Sequence, residues 1–334
     1  MNAGVQVIKC LPQSTGFRHF LSVIGQVYSP EQMKLLSSSP LETEGLLLCF
    51  VVTKDGLPVA RAAVYENAFL HQSNKRTLTL GYFESLDDAV IARALLDAVK
   101  AFAVSSGFDV IVGPMNASTW NEYRFNLPPL APPFFTQSFH PSYYADIFVS
   151  NDFHIHERYV SAIAKLEQIV IHHDHEAYFK DSGLLLRSIL LDRFEEELSR
   201  LFALCRWAFA GNPYFSEVTE EDFIRKYLPL KTYLDPEFIL LAEGPAGIEG
   251  LVFCFPDLYQ PKQLIIKTVA KNRQAPKGLI SMMTKLIYQT AAGRGFETVI
   301  HAYMHVGNPS LRLSQHFSGN VYQEHALFIH HLAS

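Results

Sequence analysis

The sequence predicts an α/β fold of the α+β kind, a mixed sheet with helices laid on it, built as two similar units. Three observations point there. Segments of strand type and helix type alternate along the whole chain, which excludes all-α and all-β classes. The same elements recur in the same order in both halves of the 334 residues, and 49% hydrophobic residues suffice for a sizeable core in each half.

The elements follow from local chemistry. Leu46 to Thr53 is an apolar run closed by Lys54-Asp55-Gly56, an Asp-Gly hairpin turn, so Pro58 to Tyr65 is its return strand. Thr77 to Phe83 reads as a strand and Asp87 to Ser105 as an amphipathic helix. Gly107 stops that helix as a residue free to take the left-handed cap, and Phe108 to Val112 is the next strand. The second half repeats this with Phe238 to Glu243, the turn Gly244-Pro245-Ala246-Gly247, Glu249 to Phe255, Leu264 to Ala270, a helix over Gly278 to Ala292, the stop Gly295 and a strand from Phe296 to Ile300. The cap glycines lie 188 residues apart and the turn glycines, Gly56 and Gly247, 191 apart, so several elements share nearly one offset. The expected units are residues 1–165 and 166–334, joined between Lys165 and Leu184. That joint holds His172-His173-Asp174-His175, read as a solvated linker because one short run rarely closes a four-ligand metal site.

Bulk charge excludes some partners. The chain has 28 basic and 33 acidic residues, a formal charge of −5; up to Lys165 there are 12 basic and 14 acidic, and after it 16 and 19. Neither half has the basic balance that nucleic acid demands. Met1 to Phe20 has no apolar run of signal-peptide type, and the longest apolar stretch, Leu46 to Val52, is too short to span a bilayer, so a cytoplasmic protein is expected. Cys10, Cys49, Cys205 and Cys254 are scattered without a CxxC pair, which predicts neither disulfides nor zinc.

Local charge is more informative. Between Asp257 and Glu297 there is no acidic residue, yet Lys262, Lys267, Lys271, Arg273, Lys277, Lys285 and Arg294 fall there. The matching window of the first half, residues 70–108, is neutral. The basic stretch straddles a strand, a loop and a helix start, the geometry in which free backbone N–H groups and the helix dipole hold a phosphate. The loop is neither a Walker A nor a GxGxxG motif, so a nucleoside triphosphate or NAD is not predicted.

The strand Leu264 to Ala270, the loop Asn272-Arg273-Gln274-Ala275-Pro276-Lys277-Gly278-Leu279, its helix and strand, and Asn308-Pro309-Ser310 opening a further helix before Gly319 resemble the core of the GNAT superfamily of acyl-CoA-dependent N-acyltransferases. Gly81-Tyr82-Phe83-Glu84-Ser85, Gly113-Pro114-Met115-Asn116-Ala117-Ser118 and Pro141-Ser142-Tyr143-Tyr144 extend the resemblance to bacterial proteins with two tandem GNAT-like units. The resemblance implies coenzyme A pyrophosphate on the loop amides, at Gln274, Ala275, Lys277, Gly278 and Leu279, and pantetheine along the strand edge Thr268, Val269 and Ala270. Asn308 then borders the channel. It further implies acyl-CoA, acetyl or longer, as co-substrate without a metal, a small-molecule or peptide amine as acceptor, and a first unit that has lost the cofactor site. Pro276 departs from the family loop and removes one amide donor.

Transfer to an amine needs a proton acceptor and a route for protonating the leaving thiolate. His301, Tyr303 and His305 alternate along Thr298 to Val306, and a regular strand puts all three on one face, making His301 or Tyr303 a candidate base. The family's usual acid tyrosine is missing after Asn308, where Ser314, Gln315 and His316 stand; His316 or Tyr322 is the substitute candidate. The aromatic stretch Pro128 to Tyr144 reads as core cover or as a flap over an acceptor pocket. Two other readings fit the same residues: a Fem-type aminoacyl transferase, which predicts a broad basic groove, and a GNAT-like binding protein without turnover.

Overall fold

The computed structural model describes residues 4–36, 40–72, 75–168 and 175–332. His172, His173 and Asp174 lie outside them. Thirteen strands form one sheet: β1 Val5–Cys10, β2 Leu46–Lys54, β3 Leu57–Gln72, β4 Lys75–Ser85, β5 Val110–Gly113, β6 Phe125–Asn126, β7 His154–Lys165, β8 Leu185–Ser188, β9 Ile239–Gly244, β10 Gly247–Pro256, β11 Gln263–Lys271, β12 Thr298–His305 and β13 Asn320–His331. The helices are α1 Phe17–Ser22, α2 Ile24–Val27, α3 Pro30–Met33, α4 Ala89–Ser105, α5 Tyr144–Ser150, α6 His175–Ser182, α7 Phe194–Phe209, α8 Glu220–Tyr227, α9 Leu279–Gly293 and α10 Pro309–His316. The expected hairpins, helices and glycine stops are all present, with Gly107 at φ +73° and Gly295 at φ +81°.

The strand order is β1-β2-β3-β4-β5-β13-β7-β12-β11-β10-β9-β8, with β6 on β13. Read inward from either edge it is the same: an antiparallel meander, then a parallel pair (β4 with β5, β11 with β12), then one long closing strand. The closing strands are exchanged. β13, from the end of the chain, pairs with β5, whereas β7 pairs with β12, and the two closers pair with each other.

Helices cover both faces, as a sheet with two apolar faces requires. In the first half α4 and α5 bury Leu95, Leu96, Tyr144 and Phe148 against β2 to β4, and α1 buries Phe20 on the opposite face. In the second half α9 buries Met283, Ile287 and Tyr288 on one face, and α7 and α8 bury Phe194, Leu198 and Phe223 on the other. The Pro128 to Tyr144 stretch serves both halves: Phe134 sits in the second half's core and Tyr144 in the first's. All four cysteines are buried free thiols. Among the described residues no helix is long and apolar enough to cross a membrane.

Candidate active site

The parallel pairing of β11 with β12 runs only from Gln263↔Thr298 to Ile266↔His301. Beyond it β11 stays with β10 while β12 follows β7, and the two strands part. A cavity of about 730 Å³ fills the opening, lined among others by Lys267, Thr268, Val269, Ala270, Gly278, Leu279, His301, Tyr303, Asn308 and His316. Nine of the thirteen candidates singled out in the sequence therefore share one cavity; Gln274, Ala275, Lys277 and Tyr322 are not in its lining.

One end of the cavity is the N-terminus of α9. Its cap residue is Gly278, at φ +85°, a left-handed conformation that glycine takes without strain, and no side chain caps the helix. The first N–H groups of a helix have no partner within it. Leu279 N–H donates to the Pro276 carbonyl at 3.3 Å, whereas those of Lys277, Gly278, Ile280 and Ser281 meet no acceptor among the described residues. Gln274 and Ala275 already spend their amides on Asn272, and the Ala275 side chain is buried. Tyr178 of α6 braces this turn by donating to the Lys277 carbonyl at 3.1 Å.

The basic stretch divides into two groups. Lys262 pairs with Glu297, and Arg294 with Asp235 and Glu237, so these charges are neutralised by residues outside the stretch. Lys271, Arg273 and Lys277 remain exposed around the free amides, with Arg273 lying over the Trp207 ring at 5.2 Å.

Lys267 behaves differently. It projects from the middle of an apolar strand into the cavity, 4.7 Å from the Tyr303 ring centroid and 3.4 Å from Thr136 Oγ1. Burial, then the nearby Arg124 charge, lower its pKa to about 7, with Glu122 opposing. The sequence signal was available: a lysine inside Leu264 to Ala270 is costly there unless it is used.

His301, Tyr303 and His305 do not share a face, contrary to their regular alternation. The register of β12 on β7 shifts between His301 and Met304, and this bulge moves the residues after it to the other side. His301 faces α9 and α10: Tyr288 Oη lies against its Nε2, and Ser314 Oγ is 2.5 Å from its Nδ1. Burial lowers His301 to about 4, so the imidazole is neutral and one ring nitrogen donates while the other accepts. Tyr303 faces the opposite core, where its hydroxyl donates to the Thr136 carbonyl at 3.0 Å and burial raises its pKa. His305 contacts Glu157 Oε2 at 2.7 Å. His316 is exposed at the end of α10, its ring against Phe317. Tyr322 is committed elsewhere, donating to the Pro132 carbonyl at 2.8 Å. Tyr288 and Ser314 escaped the sequence reading because their link to His301 joins three consecutive elements, α9, β12 and α10, whose packing no single-element pattern gives. One further group in the cavity wall, the Thr284 hydroxyl of α9, is buried without a partner.

Among the described residues no group of three or more His, Cys, Asp or Glu could hold a metal ion. No protein-family model matches the chain, and no curated protein matches it. Solved structures do. A GCN5-related N-acetyltransferase from Sphaerobacter thermophilus is 12% identical, with 99% of this chain and 96% of that chain covered at a TM-score of 0.54. A tandem GNAT protein from the clavulanic acid biosynthesis pathway is 11% identical, with 99% of each chain covered at 0.55. A GCN5-related N-acetyltransferase from Anabaena variabilis is 10% identical, with 98% of this chain and 73% of that chain covered at 0.57. At such identities the likeness is one of architecture, and it runs nearly end to end: the chain has the tandem GNAT fold.

Proposed function

We propose that the protein is an N-acyltransferase that moves an acyl group, acetyl or longer, from coenzyme A to an amine. One observation carries this reading: the gap between β11 and β12 is a cavity that reaches the unspent amides of Gly278, Ile280 and Ser281 and the Lys271 cation at the start of α9, with Arg273 and Lys277 beside it. Those groups fit the co-substrate. The amides of Lys277, Gly278, Ile280 and Ser281, with Lys271, Arg273 and Lys277, suit a pyrophosphate. The strand edge at Thr268, Val269 and Ala270, left unpaired by β12, suits the amide-bearing pantetheine arm, Asn308 borders it, and the orphaned Thr284 hydroxyl gains a partner.

The thioester supplies an acyl group already activated for attack, and the side chains handle protons. Lys267, half neutral near pH 7, takes the proton that the ammonium must lose before its lone pair can form the C–N bond, and the second proton, shed as the amide forms, passes to water. His301 does not serve as the base. Both its nitrogens are engaged, so the Tyr288–His301–Ser314 array positions groups at the cavity wall. Tyr303 gives its ring to Lys267. The ring nitrogens of His316 have no protein hydrogen-bond partner among the described residues, which leaves them to return a proton to the sulfur as the C–S bond breaks. The first half, in this reading, binds no coenzyme A.

The test is thermal unfolding with and without coenzyme A, acetyl-CoA and a longer acyl-CoA. At 100 times its dissociation constant a ligand stabilises by about 2.7 kcal/mol, so a clear rise in Tm is expected. No rise with any of the three refutes the assignment. A rise without thiol release in the presence of an amine panel would mark a binding protein instead.

A further inference from the structure

A second cavity, of about 230 Å³, lies in the first half. Its walls include Phe20, Leu21 and Phe139, and its charged lining includes Arg61, Glu84, Glu122 and Arg124. Two of these charges are satisfied by each other and by neighbours. Glu84 accepts hydrogen bonds of 2.7 Å from both Tyr28 and Tyr144, and it lies 3.7 Å from Arg61. Arg61 is 5% exposed, yet its Nε has no partner.

The other two are unmatched. Glu122 lines the cavity, is exposed, and has no side-chain hydrogen bond or ion pair among the described residues. Arg124, two residues on, meets no carboxylate at ion-pair distance among the described residues; it donates to the Tyr123 hydroxyl at 2.8 Å, and its guanidinium stacks 4.0 Å from the Tyr123 and Tyr303 ring centroids. Opposite charges this close in sequence, in one cavity and not paired with each other, are complementary to a ligand that carries both signs. The Tyr303 ring stands between the two cavities, with Arg124 4.0 Å and Lys267 4.7 Å from its centroid.

We propose that this cavity is the acceptor site and that its occupant is a free amino acid with an apolar side chain. The ammonium faces Glu122, on the side of Lys267; the carboxylate faces Arg124; the side chain lies against Phe20, Leu21 and Phe139. The inference rests on the acyl-transfer reading, but its test does not need acyl-CoA.

Calorimetry with leucine, isoleucine, methionine, phenylalanine and tryptophan on the full chain is the experiment. At least one is expected to bind, and, taking phenylalanine as the example, phenylethylamine and N-acetylphenylalanine should bind roughly tenfold more weakly or worse, each having lost one charge-assisted contact. Glu122→Gln should weaken the amino acid by a similar factor. Arg124→Gln should weaken it while sparing phenylethylamine, and this variant carries the test if Glu122→Gln does not fold. The proposal is overturned if none of the five binds, or if both charge variants bind unchanged. Failure here with coenzyme A still bound removes only the acceptor assignment, whereas amino-acid binding without coenzyme A binding removes the acyl-transfer reading.

Discussion

The two parallel strand pairs start alike and end differently. In the first half the pairing of β4 with β5 covers Thr77↔Val110 to Thr79↔Val112, and the chain after β5 then stays against β4. Met115 N–H donates to the Leu80 carbonyl at 2.8 Å, and Asn116 Oδ1 accepts from Tyr82 N–H at 2.7 Å. In the second half no such segment follows β12 back to β11, and the gap is the large cavity. The helix starts differ as well. Asp88 accepts from the Val90 and Ile91 amides at 2.9 and 3.3 Å and pairs with Lys54, so a carboxylate occupies the place of an anion; α9 has Gly278 and open amides. One fold thus becomes closed or open to a ligand through a returning segment and one capping side chain.

The largest expected effect breaks this contrast from the second half. Lys277→Glu with Gly278→Asp places at α9 the carboxylate that α4 already has, and removes a cation. Losing two charge-assisted hydrogen bonds, at roughly 1.5–3 kcal/mol each, should weaken coenzyme A by about 100-fold or more in calorimetry. Unchanged affinity would show that the phosphate does not sit there.

Next in size is Gly81→Ala in the first half. A Cβ at Gly81 would lie 2.5 Å from both the Met115 carbonyl oxygen and Asn116 Oδ1, so the returning segment must move. Overpacking of this kind costs about 1–3 kcal/mol, read as a lower Tm, with coenzyme A affinity unaltered. A Tm equal to that of the unaltered protein would mean that the segment is not held tightly, and the closure of the first half would need another cause.

Acid should act on both halves together. His140 in the first half and His301 in the second are each lowered to about 4 by burial, and His325 on β13, between Ser161 and Asn126, is lowered further. All three are neutral when folded and take up protons near pH 6.5 when unfolded. Their contribution is complete above about 6.5 and is lost as pH falls towards 4, each ring giving up about 1.4 kcal/mol for every tenfold by which folding weakens its hold on a proton. A Tm that falls steadily across that window is expected; a flat profile would show that these rings are hydrated.

The fold was legible because its punctuation is local. Gly56, Gly107, Gly247 and Gly295 mark turns and helix stops wherever the chain ends up in space, so the repeat could be read from them. The exchange of β7 and β13 was not legible, since pairing partners 133 to 221 residues apart, from Lys165↔Thr298 to Val110↔His331, leave no trace in a window of ten. Packing between neighbouring elements hid Tyr288 and Ser314 from His301, 13 residues away on either side, and put Glu297, Asp235 and Glu237 against the basic stretch. The bulge after His301 defeated the face assignment because alternation presumes an unbroken register. Lys267 carried a weaker signal, a charge inside an apolar element, which can be read as surface until burial is known.

The smallest expected effect sharpens the comparison most. Asp88→Ala removes a helix cap and should cost about 1 kcal/mol, seen as a modest drop in Tm. It also frees the α4 amides, making that helix start resemble α9. Even so, the variant should gain no coenzyme A affinity, because Met115 and Asn116 still fill the space between β4 and β5 where the rest of the ligand would lie. A second binding event in calorimetry would mean that the cap alone separates the halves, and that the returning segment yields to ligand. One binding event, as in the unaltered protein, places the difference in the strands, where an anion site at a helix end is useless without an open edge beside it.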